Sequence, residues 1–274
     1  MLRRSWGEMG RDHLTLIAAG VAFYGFTALV PMLAAVVLAY GLVAEPAAAL
    51  RQIQALTQSL PADAAGLIRD QLQNIVSTEA GKSRLGLFVA LAIALWGASR
   101  GAGAIVTALN IAYEEEEARG FLRLTLLNLA IVLGAVLGIV AAGAAVTALA
   151  HLDRLVPGAP PLLVGLGKLL SWLVLTGLAA AGAATLYRYG PDRSTVRWTW
   201  LTPGSVAASL GIGLVTSGFS LYVANVGSYN ATYGSLGAVV VLLTWLYLSV
   251  LVLLLGAELN SELERQLAAN GNGR

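Results

Sequence analysis

The uncharged stretch from Ser235 to Ala257 constrains this chain most, because it is long enough to cross a lipid bilayer. A membrane-spanning helix needs roughly 20 apolar residues, at about 1.5 Å of rise per residue. A single acid, Glu258, follows the stretch directly, and a charged tail comes after it. The stretch therefore predicts a transmembrane helix whose end is marked by one acidic side chain.

Comparable apolar runs occur along the rest of the chain. The sequence is 57% hydrophobic and only 12% charged, whereas ordinary soluble domains have roughly 25% charged residues. We therefore predict an all-α polytopic membrane protein, a six-transmembrane-helix bundle that forms a single membrane domain over residues 1–274. The predicted spans are 14–43, 85–113, 122–150, 161–187, 202–224 and 235–257.

The segment of residues 45–84 is amphipathic, unlike the continuous apolar runs of the predicted spans. Apolar residues recur at helical spacing on both sides of Pro61, and polar residues occupy the opposite faces. This pattern predicts a short amphipathic helical hairpin between the first two spans. The hairpin either lies on the membrane or caps the mouth of the bundle, and a solvated surface hairpin is an equal alternative.

The basic residues are distributed unevenly between the two sides of the predicted bundle. Most arginines fall at the two termini and in the connections after the second and fourth spans. Because lysine and arginine are enriched in cytoplasmic segments, both termini are predicted to be cytoplasmic. The block Glu114 to Glu117, on the same side, is interpreted as a solvated acidic turn.

Sequence motifs for catalysis are missing. The chain has no cysteine, and its only histidines, His13 and His151, lie at opposite ends of spans. It also has no phosphate-binding GxxxxGK[ST] loop and no GxSxG elbow. We therefore predict no catalytic residue, no metal site and no cofactor, and the net charge of +2 gives no reason to expect nucleic acid as a partner.

Arg100 is the strongest functional signal, because it lies near the middle of the second span. A guanidinium group there costs from about 2.5 kcal/mol upward, so it should face the bundle interior or a water-filled cavity and have a partner. Glu258 is the predicted acidic partner, and Asn110 is a neutral one. The alternative is an arginine that only ties helices together by binding backbone carbonyls. For Glu262, further along the last helix, a helix end that reaches water is expected.

The loop before the last span is polar and rich in tyrosine and asparagine. It has no Lys, Arg, Asp or Glu, which argues against a cage that coordinates an ion. It either lines an outward vestibule or forms a hydrogen-bonded turn. The predicted substrate-binding residues are Arg100, Glu258, Asn110, Asn225, Tyr229, Asn230 and Tyr233.

Three stretches of the chain resemble the YihY/BrkB integral membrane proteins of bacteria. They are 22–31 (AFYGFTALVP), 96–110 (WGASRGAGAIVTALN) and 186–262, which contains the elements YGP, SLYVAN, SYNATYGSLGA and GAELN. The resemblance implies a multi-pass protein of the bacterial cytoplasmic (inner) membrane with six helices. Family members have carried a ribonuclease label, which this sequence does not support, and a serum-resistance or virulence label, which describes a phenotype.

Two functional hypotheses follow from the residues and the resemblance. The first is a transporter or flippase-like carrier of a lipid-like or anionic amphiphilic compound of the cell envelope, in which Arg100 binds the headgroup and Glu258 neutralises the empty site. The second is a scaffold for envelope assembly or serum resistance that transports nothing. Membrane lipids, including anionic lipids, are the expected partners, and the sequence leaves a homo-oligomer open.

Overall fold

The computed structural model describes residues 13–43, 66, 84–155, 161–193, 202–226 and 235–271. These ranges form an all-helical bundle without strands. Its long helices are α1 (Leu14–Val43), α2 (Arg84–Ala112), α3 (Phe121–Leu155), α4 (Pro161–Tyr189), α5 (Pro203–Val226) and α6 (Ser235–Gly271).

Five of these helices, α2 to α6, are long and apolar enough to cross a membrane. The apolar stretch described in α1 is shorter, from Leu14 to Leu29, so the predicted count of six spans stays a prediction. The helices begin within one residue of the predicted starts. The predicted amphipathic hairpin at 45–84 lies outside the described residues, apart from Gly66 and Arg84, which are helical.

Helix α6 differs most from its predicted extent. The predicted span ends at Ala257, but the helix continues to Gly271, and the candidate membrane span within it is Val239–Gln266. The polar residues after Ala257 therefore extend the helix instead of ending it. Three of them, Glu258, Asn260 and Glu262, are buried.

The packing brings α1 against α2 and α6, and α5 against α6. One buried cluster joins the start of α1 to α2, α4, α5 and α6 around Leu14, Leu109, Tyr187 and Leu254. A second cluster of small apolar residues joins α1, α2 and α3 around Ala35, Ala98 and Val132. Many large apolar side chains on the outside of the bundle remain exposed, as expected for helices that face lipid.

Glycines allow two of these helix pairs to approach closely. A Cβ atom on Gly204 of α5 would lie 2.0 Å from the carbonyl oxygen of Gly256 in α6, and one on Gly101 of α2 would lie 2.7 Å from the Cβ of Ala28 in α1. Any larger residue would have to push the backbones apart. These contacts fix the crossing of α5 over α6 and of α1 over α2.

Candidate functional site

Buried polar side chains concentrate at one end of the bundle, which we call the polar end. It comprises residues 110–119, 187–193, 202–205 and 256–265. The α2–α3 connection, the end of α4, the start of α5 and the later part of α6 meet there. Because these segments are far apart in sequence, their side chains come together only in the folded bundle.

Asn110, near the end of α2, joins two of these segments. Its Nδ2 donates to Glu117 Oε2 at 2.9 Å, and its Oδ1 accepts a hydrogen bond from the backbone N–H of Asp192 at 2.8 Å. The backbone N–H of Glu115 also donates a hydrogen bond to the backbone carbonyl of Asn110, and Glu114 adopts a left-handed conformation with φ of 54°. This is the usual way in which a helix end satisfies its last carbonyls.

Arg119 binds both the α2–α3 connection and the end of α4. Its guanidinium donates to the two carboxylate oxygens of Glu117 at 2.6 and 2.7 Å, and to the carbonyl of Gly190 at 2.7 Å. The hydrogen bonds from Arg119 hold the pKa of Glu117 at about 2, because they favour the charged carboxylate. The prediction of a solvated acidic turn agrees with the exposed positions of Glu114, Glu116 and Glu117, although two side chains also hold the carboxylate of Glu117.

Arg193, just beyond α4, connects that helix to α6. Its guanidinium lies 4.0 Å from the centre of the Tyr113 ring and donates to Glu264 Oε2 at 2.8 Å and to the carbonyl of Tyr187. Burial raises the pKa of Tyr113 to about 12, so this phenol stays neutral beneath the guanidinium. A cation over an aromatic face, shielded from water, is a stabilising arrangement.

Two further contacts hold α6 against its neighbours. The hydroxyl of Tyr187 in α4 donates to the carbonyl of Leu253 at 2.6 Å. Asn260 Oδ1 in α6 accepts a hydrogen bond from the backbone N–H of Gly204 at 2.8 Å, and Asn260 Nδ2 donates a hydrogen bond to Thr202 Oγ1 at 2.7 Å. Asn260 therefore caps the start of α5 from another helix, in support of Thr202, which is the local cap.

The GAELN element of the sequence accordingly has a structural role at this crossing. Gly256 allows the approach to Gly204, and Asn260 supplies the cap. Glu258 is 1% exposed and lies close enough to Tyr113 for its charge to act on that phenol. Glu262 is also buried, with Gln266 donating to it at 2.7 Å, so the expectation that Glu262 reaches water is wrong.

The structure separates Arg100 from its predicted partners. Arg100 is exposed on the outer surface of α2, and its guanidinium carbon lies 5.4 Å from the centre of the Trp96 ring, which is itself 62% exposed. Of the two surroundings predicted for Arg100, the bundle interior is therefore wrong, and the water-filled cavity stays a prediction. Asn110 lies ten residues further along α2, or about 15 Å along the axis, and Arg100 forms no ion pair with Glu258 in the described ranges.

The other predicted site residues stay a prediction. Tyr229, Asn230 and Tyr233 lie outside the described residues, as does the side chain of Asn225. Of the seven predicted residues, Asn110 and Glu258 both lie at the polar end, although not with Arg100. In the described ranges, no group of three or more His, Asp or Glu side chains could hold a metal ion.

A basic cavity at the edge of the polar end contains residues that the predicted site does not include. It has a volume of about 360 Å³ and lies between the start of α3 and the end of α4. Its lining includes Arg119, Arg123, Arg188, Tyr189, Asp192 and Arg193. The sequence signal for it is the repeated arginine and aromatic residues just outside two spans on the same side of the membrane, a pattern that is also typical of interfacial anchors.

Comparison with known proteins gives a family and several relatives. The sequence profile of the family described as "Virulence factor BrkB" matches residues 5–274. The chain is 31% identical to the ribonuclease-like protein YfkH of Bacillus subtilis (strain 168), over 77% of this chain and 76% of YfkH. It is 30% identical to the UPF0761 membrane protein Nmul_A0452 of Nitrosospira multiformis and 26% identical to a UPF0761 membrane protein of Aeromonas salmonicida (strain A449).

The coverage differs between these two UPF0761 proteins. Each match includes 92% of this chain, but it covers 58% of the Nitrosospira protein and 85% of the Aeromonas protein. The chain therefore spans little more than half the length of the Nitrosospira relative. No solved structure matches.

Proposed function

Because the chain belongs to the BrkB family of membrane proteins, we propose that it moves an anionic, lipid-like compound of the cell envelope across the bacterial inner membrane. The observation that carries the proposal is the position of Arg100, which is exposed near the middle of an apolar span. An arginine in hydrocarbon is unfavourable by at least about 2.5 kcal/mol unless a counter-charge or water reaches it. An anionic headgroup that passes along the bundle surface supplies that counter-charge.

The exposed site changes the mechanism expected from the sequence. A carrier with an interior site would hold the whole compound inside the bundle and would need an acid such as Glu258 to neutralise the empty site. On the outer surface, Arg100 and the ring of Trp96 contact the headgroup while the acyl chains remain in the surrounding lipid. The headgroup then passes the middle of the membrane beside a fixed positive charge, which lowers the barrier to crossing.

The test is a lipid-flipping measurement with purified protein in liposomes of zwitterionic lipid. A fluorescent anionic phospholipid is added, and the fraction that an impermeant quencher can reach is followed with time. We expect Arg100→Gln to slow flipping at least about tenfold, which corresponds to about 1.4 kcal/mol in the barrier. Arg100→Lys keeps the charge and should retain most of the rate.

Thr107→Val is the matched control, because Thr107 is exposed on the same helix and its hydroxyl binds the carbonyl of Gly103 within that helix. It should leave flipping unchanged. The proposal fails if the unaltered protein flips the lipid no faster than protein-free liposomes do. It also fails if Arg100→Gln and Thr107→Val have the same effect while both variants keep the melting temperature of the parent.

The second candidate function is the scaffold. Its supporting observation is that Trp96 and Arg100, residue types enriched at the centres of protein interfaces, are exposed side by side. A scaffold of this kind would use the segment 45–84 as a further contact surface. Deleting that segment should then abolish function in cells while the purified bundle keeps its helical content.

The name of the Bacillus subtilis relative mentions ribonuclease. The chain has two histidines, at opposite ends of predicted spans, and no cysteine. Its net charge is only +2. We therefore propose no nuclease step.

A further inference from the structure

We infer that the basic cavity between the start of α3 and the end of α4 binds the phosphodiester group of an anionic phospholipid at the membrane surface. The site is separate from Arg100, which lies deeper in the membrane, and the inference does not rest on the proposed transport. Four arginines line a cavity of about 360 Å³, a volume suited to a phosphate group and part of its glycerol. Arginine is well suited to phosphate because its planar fork can donate two parallel hydrogen bonds.

Two of the arginines are fixed in position before any ligand arrives. Arg119 is held by Glu117 and by the carbonyl of Gly190, and its side chain is 11% exposed. Arg193 is held by Glu264 and the Tyr113 ring, and its side chain is 7% exposed. Side chains that are already ordered lose little conformational entropy on binding, which favours affinity.

The charges of the cavity are suited to a single negative charge. Glu117 and Glu264 balance Arg119 and Arg193. Asp192, the acid in the lining, accepts a hydrogen bond from the backbone N–H of Ala118 and lies 3.8 Å from Arg119, so three acids in all stand against the four arginines. Arg123 is then in excess, because it is exposed and has no ion-pair partner within the described ranges. A phosphodiester carries the one negative charge that compensates it.

The surroundings of the cavity favour a lipid over a soluble phosphate. Phe121 is 86% exposed and Leu122 is 72% exposed at the start of α3, and Leu126 continues this apolar surface along the helix. Tyr189, an aromatic residue typical of the membrane interface, stands at the opposite wall. The cavity therefore lies where the polar end meets the apolar surface of the bundle. A phospholipid whose phosphate is bound in the cavity can then pack its acyl chains against the apolar surface of α3.

The test is a binding measurement on the purified protein in neutral detergent, by native mass spectrometry and by thermal shift. The probes are phosphatidylglycerol, phosphatidylcholine, soluble glycerol phosphate and inorganic phosphate. We expect phosphatidylglycerol to bind at least about tenfold more tightly than phosphatidylcholine, and the two soluble phosphates to compete weakly. Arg123→Gln should weaken phosphatidylglycerol binding about tenfold without loss of folding, because Arg123 is exposed and belongs to no described ion pair.

Arg265→Gln is the matched control, because it removes the same charge at the same end of the bundle but outside the cavity. It should change phosphatidylglycerol binding less than about twofold. If Arg123→Gln and Arg265→Gln weakened phosphatidylglycerol binding equally, the lipid would be attracted by the overall positive charge of this end and not by the cavity, and the inference would be overturned. Competition by inorganic phosphate at the concentration of phosphatidylglycerol would also overturn it, because the site would then take a soluble anion. If Arg123→Gln loses phosphatidylglycerol binding but flips lipid at the parental rate, the cavity binds lipid independently of the proposed transport at Arg100.

Discussion

The polar end and the middle of the α1–α3 bundle are held together by different interactions. At the polar end, Asn110, Arg119 and Asn260 each join segments that are distant in sequence through directed hydrogen bonds. In the middle of the bundle, the contacts are between small apolar side chains. The buried residues of that second cluster are Ala35, Ala94, Ala98, Ala102, Val132 and Val136.

The membrane makes this difference important for stability and motion. Lipid tails are as apolar as valine or alanine, so apolar helix contacts gain little beyond van der Waals packing and can shift at small cost. A buried amide that loses its partner has no water to replace it. The polar end should therefore stay fixed, whereas the helices of the apolar cluster can shift relative to one another at smaller cost.

The largest effect should come from the crossing of α5 and α6. Gly204→Ala places a Cβ atom 2.0 Å from the carbonyl oxygen of Gly256, and the side chain of Asn260 also lies in its path. We expect a loss of about 3 kcal/mol or more in the free energy of unfolding. Gly218→Ala is the control, because it adds the same methyl group to the same helix with nothing within 4 Å. Equal melting temperatures for the two variants would show that this crossing does not hold the polar end.

Loss of the Asn260 cap should have the next largest effect. Asn260→Ala leaves the backbone N–H of Gly204 and the hydroxyl of Thr202 without this partner, at a cost of about 2 kcal/mol. Ser249→Ala removes a buried hydroxyl on the same helix that has no hydrogen-bond partner in the described part of the chain, so it should be nearly neutral. Chemical denaturation in detergent measures both. If Ser249→Ala were the more destabilising change, the directed hydrogen bonds of Asn260 would not be a main source of stability at the polar end.

A truncation in the apolar cluster should cost less than the loss of the cap. Val132→Ala removes two methyl groups that pack among alanines of α1 and α2, and we expect about 1 kcal/mol because lipid contacts partly replace those lost. The same denaturation measurement provides the comparison with Asn260→Ala. A cost of Val132→Ala above that of Asn260→Ala would reverse the contrast between the two regions.

Acid should weaken the polar end through Glu117. The folded pKa of Glu117 is about 2, below its ordinary value of 4.5. The stabilisation from this carboxylate is therefore fully present above about pH 4.5 and is lost as the pH falls toward 2. Melting temperatures between pH 6 and pH 3 should fall less for Glu117→Gln than for the parent protein. Glu116 is an exposed neighbour, and Glu116→Gln should keep the pH dependence of the melting temperature seen in the parent protein. If Glu117→Gln also kept that pH dependence, the carboxylate of Glu117 would not be the source of the acid sensitivity.

The smallest effect should come from the exposed ion pair at the same end. Arg265 Nη2 lies 2.9 Å from Glu114 Oε1, but both side chains are exposed to solvent. We expect Arg265→Gln to cost less than about 1 kcal/mol, since solvent and salt screen such pairs. A double-mutant cycle with Glu114→Gln gives the coupling energy directly. A coupling as large as the effect of Asn260→Ala would mean that exposed charges, and not buried amides, fix this end.

The sequence predicts the positions of the helices well because the apolar runs are long and their interruptions are clear. It predicts the end of α6 poorly because Glu258, Asn260 and Glu262 are polar, yet they are buried by the fold. Partners such as Gly204 lie far away in the chain, and no local pattern indicates them.

The candidate site shows the same limit. The sequence identifies Asn110 as a polar residue of interest, but its contacts with Glu117 and Asp192 depend on how α4 returns to α2. Sequence reasoning places Arg100 in the interior because an arginine in a span demands a partner. The apolar residues of α2 are not gathered on one face of the helix, so its sequence gives no sign of which face is buried. Orientation within the bundle is therefore the information that the sequence alone lacks.

The cap that Asn260 places on α5 has a consequence for how the protein is made. Helix α5 leaves the ribosome before α6, so the N–H of Gly204 lacks this partner until Asn260 has been synthesised and α6 has docked. Tyr187 and Arg193 likewise meet their acceptors in Leu253 and Glu264 only at that stage. Insertion of α6 thus completes the assembly, and a chain interrupted before Asn260 carries exposed polar groups that the quality-control machinery of the cell can recognise.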